Sequence, residues 1–220
     1  MEIHSGENMI RPPPALSQVM LAQTEKSSGH TCHSSQDRNK APLDDFFSIY
    51  NGSSMYTDAD FAPDNDAIFW ADMGEGEDKS HWIEKTTWTR ASSAFPNNTL
   101  FGADGVHPDD IDQGSLGNCW FLAACAAVAQ VPGTVEKMFL NSPNEISANG
   151  IYAVNFYSLG MPHTVIVDDY LPLRENGNTF FAGLGKNDSR EDEGSLWVPI
   201  IEKAFAKYHG NYLHIGGGNK

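Results

Sequence analysis

The sequence predicts an α+β fold, and three observations predict it. An apolar helical pattern covers Cys119 to Gln130, and a second covers Leu196 to Tyr208. Between them, Ile151 to Tyr157 and His163 to Asp168 are rich in β-branched and aromatic residues and read as a local antiparallel pair. A helix, a hairpin and a second helix in that order give segregated elements, not the strand–helix alternation of a parallel sheet. Residues 1–45 stand apart as a disordered tail, so the folded domain is expected over 46–220.

The composition narrows what such a domain does. The chain has 220 residues, 14 basic and 29 acidic, for a net charge of -15. That field repels phosphates and argues against a nucleic-acid partner. The longest apolar run, Trp120 to Ala129, has ten residues. A transmembrane helix needs about 20. Met1 to Pro14 has no apolar stretch of the kind a secretory signal carries. Of the three cysteines, Cys32, Cys119 and Cys125, the last two fall six residues apart on one predicted helix. At about 1.5 Å per residue their Cα atoms lie about 9 Å apart, beyond the roughly 7 Å limit for a disulfide. The odd count and low density favour a reducing, intracellular setting.

The elements follow in chain order. The tail carries a triple proline, Pro12 to Pro14, and a polar stretch from Gln23 to Lys40. Its His30, Cys32 and His33 match no established zinc spacing and read as solvated. Order is expected to begin near Asp44 to Tyr50. Met55 to Met73 mixes aromatics with Asp58, Asp60, Asp64 and Asp66 and reads as an irregular acidic cover, without the glycine and glutamate of an EF-hand loop. Trp82, Trp88, Phe95 and Phe101 are expected to pin a long loop onto the core. The first helix is rich in alanine, with Asn118 as its N-cap and Pro132-Gly133 as its stop. It is apolar nearly all round, so burial on most faces is expected. A short helix over Val135 to Leu140 follows. The hairpin is expected to turn through a five-residue loop, Ser158 to Pro162, after which Leu171-Pro172-Leu173 leaves the sheet. The last helix places Trp197, Ile200, Ile201, Ala204, Phe205 and Tyr208 on one face, with Ser195 as cap and Gly210 as terminator.

The chemistry is concentrated in Gln113-Gly114-Ser115-Leu116-Gly117-Asn118-Cys119-Trp120. A glycine-rich turn delivers a cysteine to the first position of a helix. Unpaired amides and the helix dipole there favour thiolate, the form that attacks carbonyls. Gln113 can turn its side-chain amide toward the same point, beside the Cys119 backbone N–H, to make an oxyanion hole. Gly185-Lys186 lacks the flanking residues of a phosphate-binding loop.

This string resembles the active-site segment of papain-like cysteine proteases, and of calpains in particular. Papain-type enzymes usually have a cysteine at the position of Leu116, whereas calpains have leucine. Calpains also continue as Cys119-Trp120-Phe121-Leu122-Ala123-Ala124 does here. Gly150-Ile151-Tyr152 through Val165 to Pro172 looks like the calpain core hairpin. Leu196-Trp197 through Lys207, then Gly210-Asn211-Tyr212 and Gly216-Gly217, looks like its following helix and exit. Trp88-Thr89-Arg90 and Phe101-Gly102 fit more loosely.

The resemblance implies the first, cysteine-helix subdomain of a papain-like core over 46–220, with that helix central. Cys119 is then the nucleophile, Gln113 the oxyanion donor, and Trp120 packs beside the nucleophile. The implied activity is a calcium-dependent, intracellular (cytoplasmic) endopeptidase acting on protein substrates. Calpains hold one calcium in this half-domain, and the carbonyls of Ala103 and Gly105 and the carboxylate of Asp110 match three of its ligands. Ser195 occupies the position of the family's glutamate, with Glu193 two residues earlier. Asp109, Asp110 and Asp112 also read as a plain solvated acidic loop. The catalytic histidine and asparagine of papain-like enzymes lie roughly 130–150 residues after the cysteine, whereas 101 residues follow Cys119. His163, His209 and His214 do not match the base, and His209 reads as a cation at a helix C-terminus. A second catalytic subdomain is therefore expected as a missing partner. The alternative is a catalytically incomplete interaction or regulatory module.

Overall fold

The computed structural model describes residues 43–69, 80–141, 146–186 and 194–217. The expected tail, with His30, Cys32 and His33, lies outside them apart from residues 43–45, and so does Glu193.

Six α-helices are described: α1 (Leu43–Tyr50), α2 (Asn65–Ile68), α3 (Ser80–Glu84), α4 (Ala91–Ala94), α5 (Cys119–Ala129) and α6 (Trp197–His209). The strands are β1 (Thr87–Arg90), β2 (Ile151–Ser158), β3 (Met161–Asp168), β4 (Tyr170–Leu173), β5 (Gly185–Lys186) and β6 (Gly194–Ser195). They pair as three antiparallel ribbons, β1 with β4, β2 with β3, and β5 with β6. The α+β reading holds.

The β2–β3 hairpin is buried on both faces near its base. Tyr152, Val154, Val165 and Val167 meet Phe121, Leu122, Ile200, Ile201 and Ala204 from α5 and α6. The opposite residues, Ile151, Ala153 and Ile166, meet Phe46 of α1. Two-sided burial explains why the strands read as nearly continuous apolar runs. The connection is tighter than the expected five residues. Register runs from Ile151 opposite Asp168 to Ser158 opposite Met161, leaving only Leu159 and Gly160 in the turn. Both have positive φ, 52° and 77°, the conformation whose twist matches that of paired strands.

Leu171-Pro172-Leu173 leaves the hairpin as expected and joins β1, with Trp88 opposite Pro172. The four aromatics behave as pins. Trp82 is buried against Phe180 and Phe181, Phe101 packs edge-on against Phe139, and Trp88 and Phe95 pack at the margins of the two main apolar clusters. The helix expected over Val135 to Leu140 is a single 3-10 turn, Glu136–Met138.

The two long helices exchange their expected environments. The last helix was read as amphipathic, but in α6 the polar residues Glu202, Lys203 and Lys207 are buried together with Trp197, Val198, Ile200 and Ile201. Each buried charge has a specific answer. Lys203 Nζ donates to Asp168 Oδ1 and to the carbonyls of Asp168 (3.2 Å) and Tyr170 (2.7 Å). Lys207 Nζ donates to both Asp58 oxygens, at 2.9 and 2.7 Å, and to the Ile166 carbonyl at 2.8 Å. Asp58 is thus a buried counterion rather than part of a solvated cover. Burial pushes the Lys203 ammonium downward, opposed by Asp168.

Conversely, α5 was expected to be buried on most faces, with the cysteine helix central. Phe121, Leu122, Cys125 and Ala129 are buried, but Cys119, Trp120, Ala123, Ala124 and Ala127 form an exposed stripe. Because the exposed stripe is itself apolar, residue periodicity does not separate it from the buried face.

Neither long helix uses the cap the sequence offers. Ser195 lies outside α6, whose N-cap position is Leu196 without a side-chain cap bond. Gly210, at φ 108°, ends α6 as expected.

Candidate active site

The turn before α5 is held from several sides at once. Asp112 O accepts from Gly183 N at 2.7 Å, Ser115 N donates to Phe180 O at 3.1 Å, and Gly217 N donates to Gly117 O at 2.7 Å. Arg174 Nη2 reaches Ser115 Oγ at 2.5 Å. Gly114 lies so close to the Phe180–Phe181 backbone that a Cβ would collide with the Phe181 carbonyl oxygen. Leu116 is buried in a cluster with Phe180, Phe181, Tyr212 and Ile215. Its side chain is the apolar anchor of the turn, while Gly114 and Gly117 carry no bulk.

At the end of this turn Cys119 is exposed, with a free thiol, as the first residue of α5. A first-turn N–H has no intrahelical acceptor, so the Cys119 amide is left to face an anion. Gln113 donates from Nε2 to the Leu116 carbonyl at 3.0 Å. That bond anchors the amide on the same turn and leaves its second N–H for another acceptor. Trp120, 43% exposed, sets its ring edge against Phe121 and Phe205 and donates from Nε1 to Ile215 O at 3.3 Å. The second cysteine, Cys125, is buried, and burial followed by the charge of Glu202 pushes its thiol up to about 12.

Asn118 occupies the N-cap position of α5 but does not cap the helix with its side chain. Its Nδ2 donates to Glu202 Oε1 at 2.7 Å instead, and its Oδ1 is buried without a partner. Glu202 Oε2 accepts from Ala182 N at 2.8 Å. Burial pushes the Glu202 carboxyl up to about 7, against the Ala182 N–H and the Asn118 amide, which hold it down. Residue-pattern reasoning missed this glutamate. The signal for it was a charged residue one step from Ile201, on a helix otherwise built for the core.

The acidic loop is not solvated at its key position. Asp110 is buried, and its Oδ2 accepts from Trp197 Nε1 at 2.7 Å and from His107 N at 3.0 Å. Asp109 and Asp112 are exposed. Ser195 Oγ is buried without a partner. Cβ atoms built at Gly185 and Gly102 show what shares that space. The first would strike Ser195 Oγ and lie 2.8 Å from Asp110 Cγ, and the second would lie 3.7 Å from Gly105 O. Among the described residues no three His, Cys, Asp or Glu side chains gather as a metal-binding group.

The downstream histidines make the following contacts. His163 packs edge-on against Tyr208. His209 packs on Phe205, and its carbonyl meets His214 Nδ1 at 2.7 Å. Burial, then the neighbouring His214, pushes His209 downward, so it is not the helix-end cation the sequence predicted.

A family model described as calpain family cysteine protease matches residues 56–220. The chain belongs to the calpain family. Individual relatives agree. The calpain-type cysteine protease ADL1 of Oryza sativa subsp. japonica is 34% identical over 173 residues, which are 77% of this chain and 8% of that protein. The calpain of Schistosoma mansoni is 31% identical over 172 residues, 76% of this chain and 20% of the relative. Calpain-12 of Homo sapiens is 30% identical over 166 residues, 75% and 22%. The chain thus spans less than a quarter of each of these calpains. As a calpain-type segment it contains the glycine turn, the exposed cysteine and the core hairpin, and no described helix is long and apolar enough to cross a membrane.

Proposed function

We propose that this calpain-type chain acts in cysteine-type endopeptidase chemistry on protein substrates, with Cys119 as nucleophile. The observation that carries the proposal is the exposed Cys119 thiol at the first position of α5, presented by a turn held on several sides. Cys119 Sγ attacks the scissile carbonyl carbon, a C–S bond forms, and the carbonyl π pair moves onto oxygen. The Gln113 side-chain amide and the Cys119 N–H receive that oxyanion. On collapse the C–N bond breaks, the amine leaves with the thiol's proton, and water later hydrolyses the thioester. In this reading the proton passes through a histidine other than His163, His209 and His214, none of which matches the spacing of the papain-type base. That histidine belongs to the second catalytic subdomain expected as a partner. The free thiols of Cys119 and Cys125 support an intracellular, cytoplasmic setting.

Calcium is proposed as a structural ion held by Asp110 with the carbonyls of Ala103 and Gly105. The donors fit a hard cation in kind, since the orphaned Ser195 Oγ beside Asp110 adds a buried oxygen. They supply one carboxylate, already shared with Trp197 Nε1, where calcium takes six to eight oxygens. When bound, the ion would neutralise this acidic loop. Calorimetry at millimolar calcium should show heats above the buffer blank. Heats equal to the blank remove Ala103, Gly105 and Asp110 from the reading.

The chemistry is tested by incubating the purified chain with a thiol-directed peptide epoxide. An adduct on Cys119 that is lost in Cys119→Ser is expected. The second reading, a non-catalytic interaction or regulatory module, is favoured by the engaged histidines. No Cys119 adduct, with or without calcium, would favour it over the first.

A further inference from the structure

Glu202 is a buried carboxylate that the chemistry above does not use. It is 1% exposed and has no cation among its hydrogen-bond partners, unlike Asp58, Asp168 and Asp169, which pair with Lys207, Lys203 and Arg90. Its two oxygens instead go to two amides on opposite sides of the glycine turn. Oε1 takes the Asn118 side chain at 2.7 Å, and Oε2 takes the Ala182 backbone at 2.8 Å. Ala182 follows Phe181, the residue whose carbonyl leaves no room for a Cβ at Gly114. Asn118 immediately precedes Cys119.

An asparagine at an N-cap ordinarily turns its oxygen onto the second or third amide of its own helix. Here those are the amides of Trp120 and Phe121. The Phe121 N–H is already taken by the Asn118 backbone carbonyl at 2.9 Å. Drawing the side chain away to Glu202 keeps the cap oxygen off the helix N-terminus, so the partial positive charge at the start of α5 is left uncompensated beside Cys119. It also explains the cost the structure carries, a buried Asn118 Oδ1 with no partner. A buried carboxylate without a cation is expensive, and here that cost is offset only by the two amides it holds. We propose that Glu202 is a positioning residue for Cys119, acting through Asn118 to hold the α5 N-terminus uncapped and through Ala182 to hold the wall of the turn.

The inference rests on the reading of Cys119 as nucleophile, and the experiment separates the two. The full chain is treated with iodoacetamide, and the rate of Cys119 alkylation is followed by mass spectrometry. If native Cys119 reacts no faster than in the urea-unfolded chain, the nucleophile reading fails. If it reacts faster, the variants decide on Glu202. Glu202→Leu removes two bonds to a charged acceptor, each a strong contribution, and should slow Cys119 by about tenfold. Asn118→Ala has no cap oxygen to withdraw, so it should react within about twofold of the native chain, and added to Glu202→Leu it should restore most of the lost rate. Glu202→Gln should react within about twofold of the native chain. Its oxygen keeps Ala182, and its NH2 meets Asn118 Oδ1 once that amide turns over. A tenfold loss in Glu202→Gln would overturn the proposal, and so would additive losses in the double variant. Should Glu202→Leu not fold, Asn118→Ala decides, and a folded Asn118→Ala reacting tenfold more slowly than the native chain overturns it.

Discussion

At Gly114 the turn has no room for a side chain, because the Phe181 carbonyl oxygen fills the place of a Cβ. Gly114→Ala should therefore cost about 3 kcal/mol, seen as a lower urea midpoint with an unchanged slope. Glu202 gives a prediction of opposite sign. Its folded pKa, about 7, lies above that of an ordinary glutamate, so between pH 4.5 and 7 the folded chain holds a proton that the unfolded chain has released. Stability is then lost as pH rises through this window, on the order of 3 kcal/mol. Glu202→Gln removes that loss, so its melting temperature should gain on the native chain at pH 8 compared with pH 5. The proposed roles of Cys119 and Gln113 rest on a short, contiguous string of sequence. The partner of Asn118 was not legible in sequence, because 84 residues separate it from Glu202 and local pattern says nothing about so distant an acceptor.

At the scale of elements, α6 and α5 show how periodicity succeeds and misleads. Helix bounds were readable to within one or two residues from alanine content and the Gly210 terminator. Environment was not. The buried stripe of α6 includes Lys203, which Asp168, at the end of β3, and the Tyr170 carbonyl make tolerable. Lys203→Met would leave that carboxylate buried without its cation and should cost about 3–5 kcal/mol, measured by chemical denaturation. The hairpin was readable as strands but not as a two-residue turn, because leucine is a poor predictor of positive φ. Leu159 is fully exposed at φ 52°, so its side chain adds strain and no packing. Leu159→Asn should raise stability by about 1 kcal/mol, read as a higher melting temperature.

Across the whole molecule, the acidic excess is concentrated ahead of Cys119: residues 46–118 hold 13 acidic and 3 basic side chains. The structure divides these acids by task. Asp58 neutralises Lys207 and Asp110 bonds to Trp197, while Asp109 and Asp112 stay at the surface. Composition showed the sum of the charge and not this division, which depends on contacts between distant segments. The β1–β4 ribbon is one such contact, pairing Arg90 with Tyr170 and Thr87 with Leu173. It closes a loop of about 80 residues that contains the whole glycine turn and α5. Loop closure of that length is entropically costly and slow, whereas a two-residue hairpin forms in microseconds. The β2–β3 hairpin is therefore expected to form early and the β1–β4 clasp late, which the burst-phase amide protection of each pair in pulsed hydrogen exchange would check. The turn leans on Phe180 to Gly183, just beyond the clasp. The thiol is thus expected to acquire its reactivity only as folding completes, so that a nascent or misfolded chain does not carry a competent nucleophile.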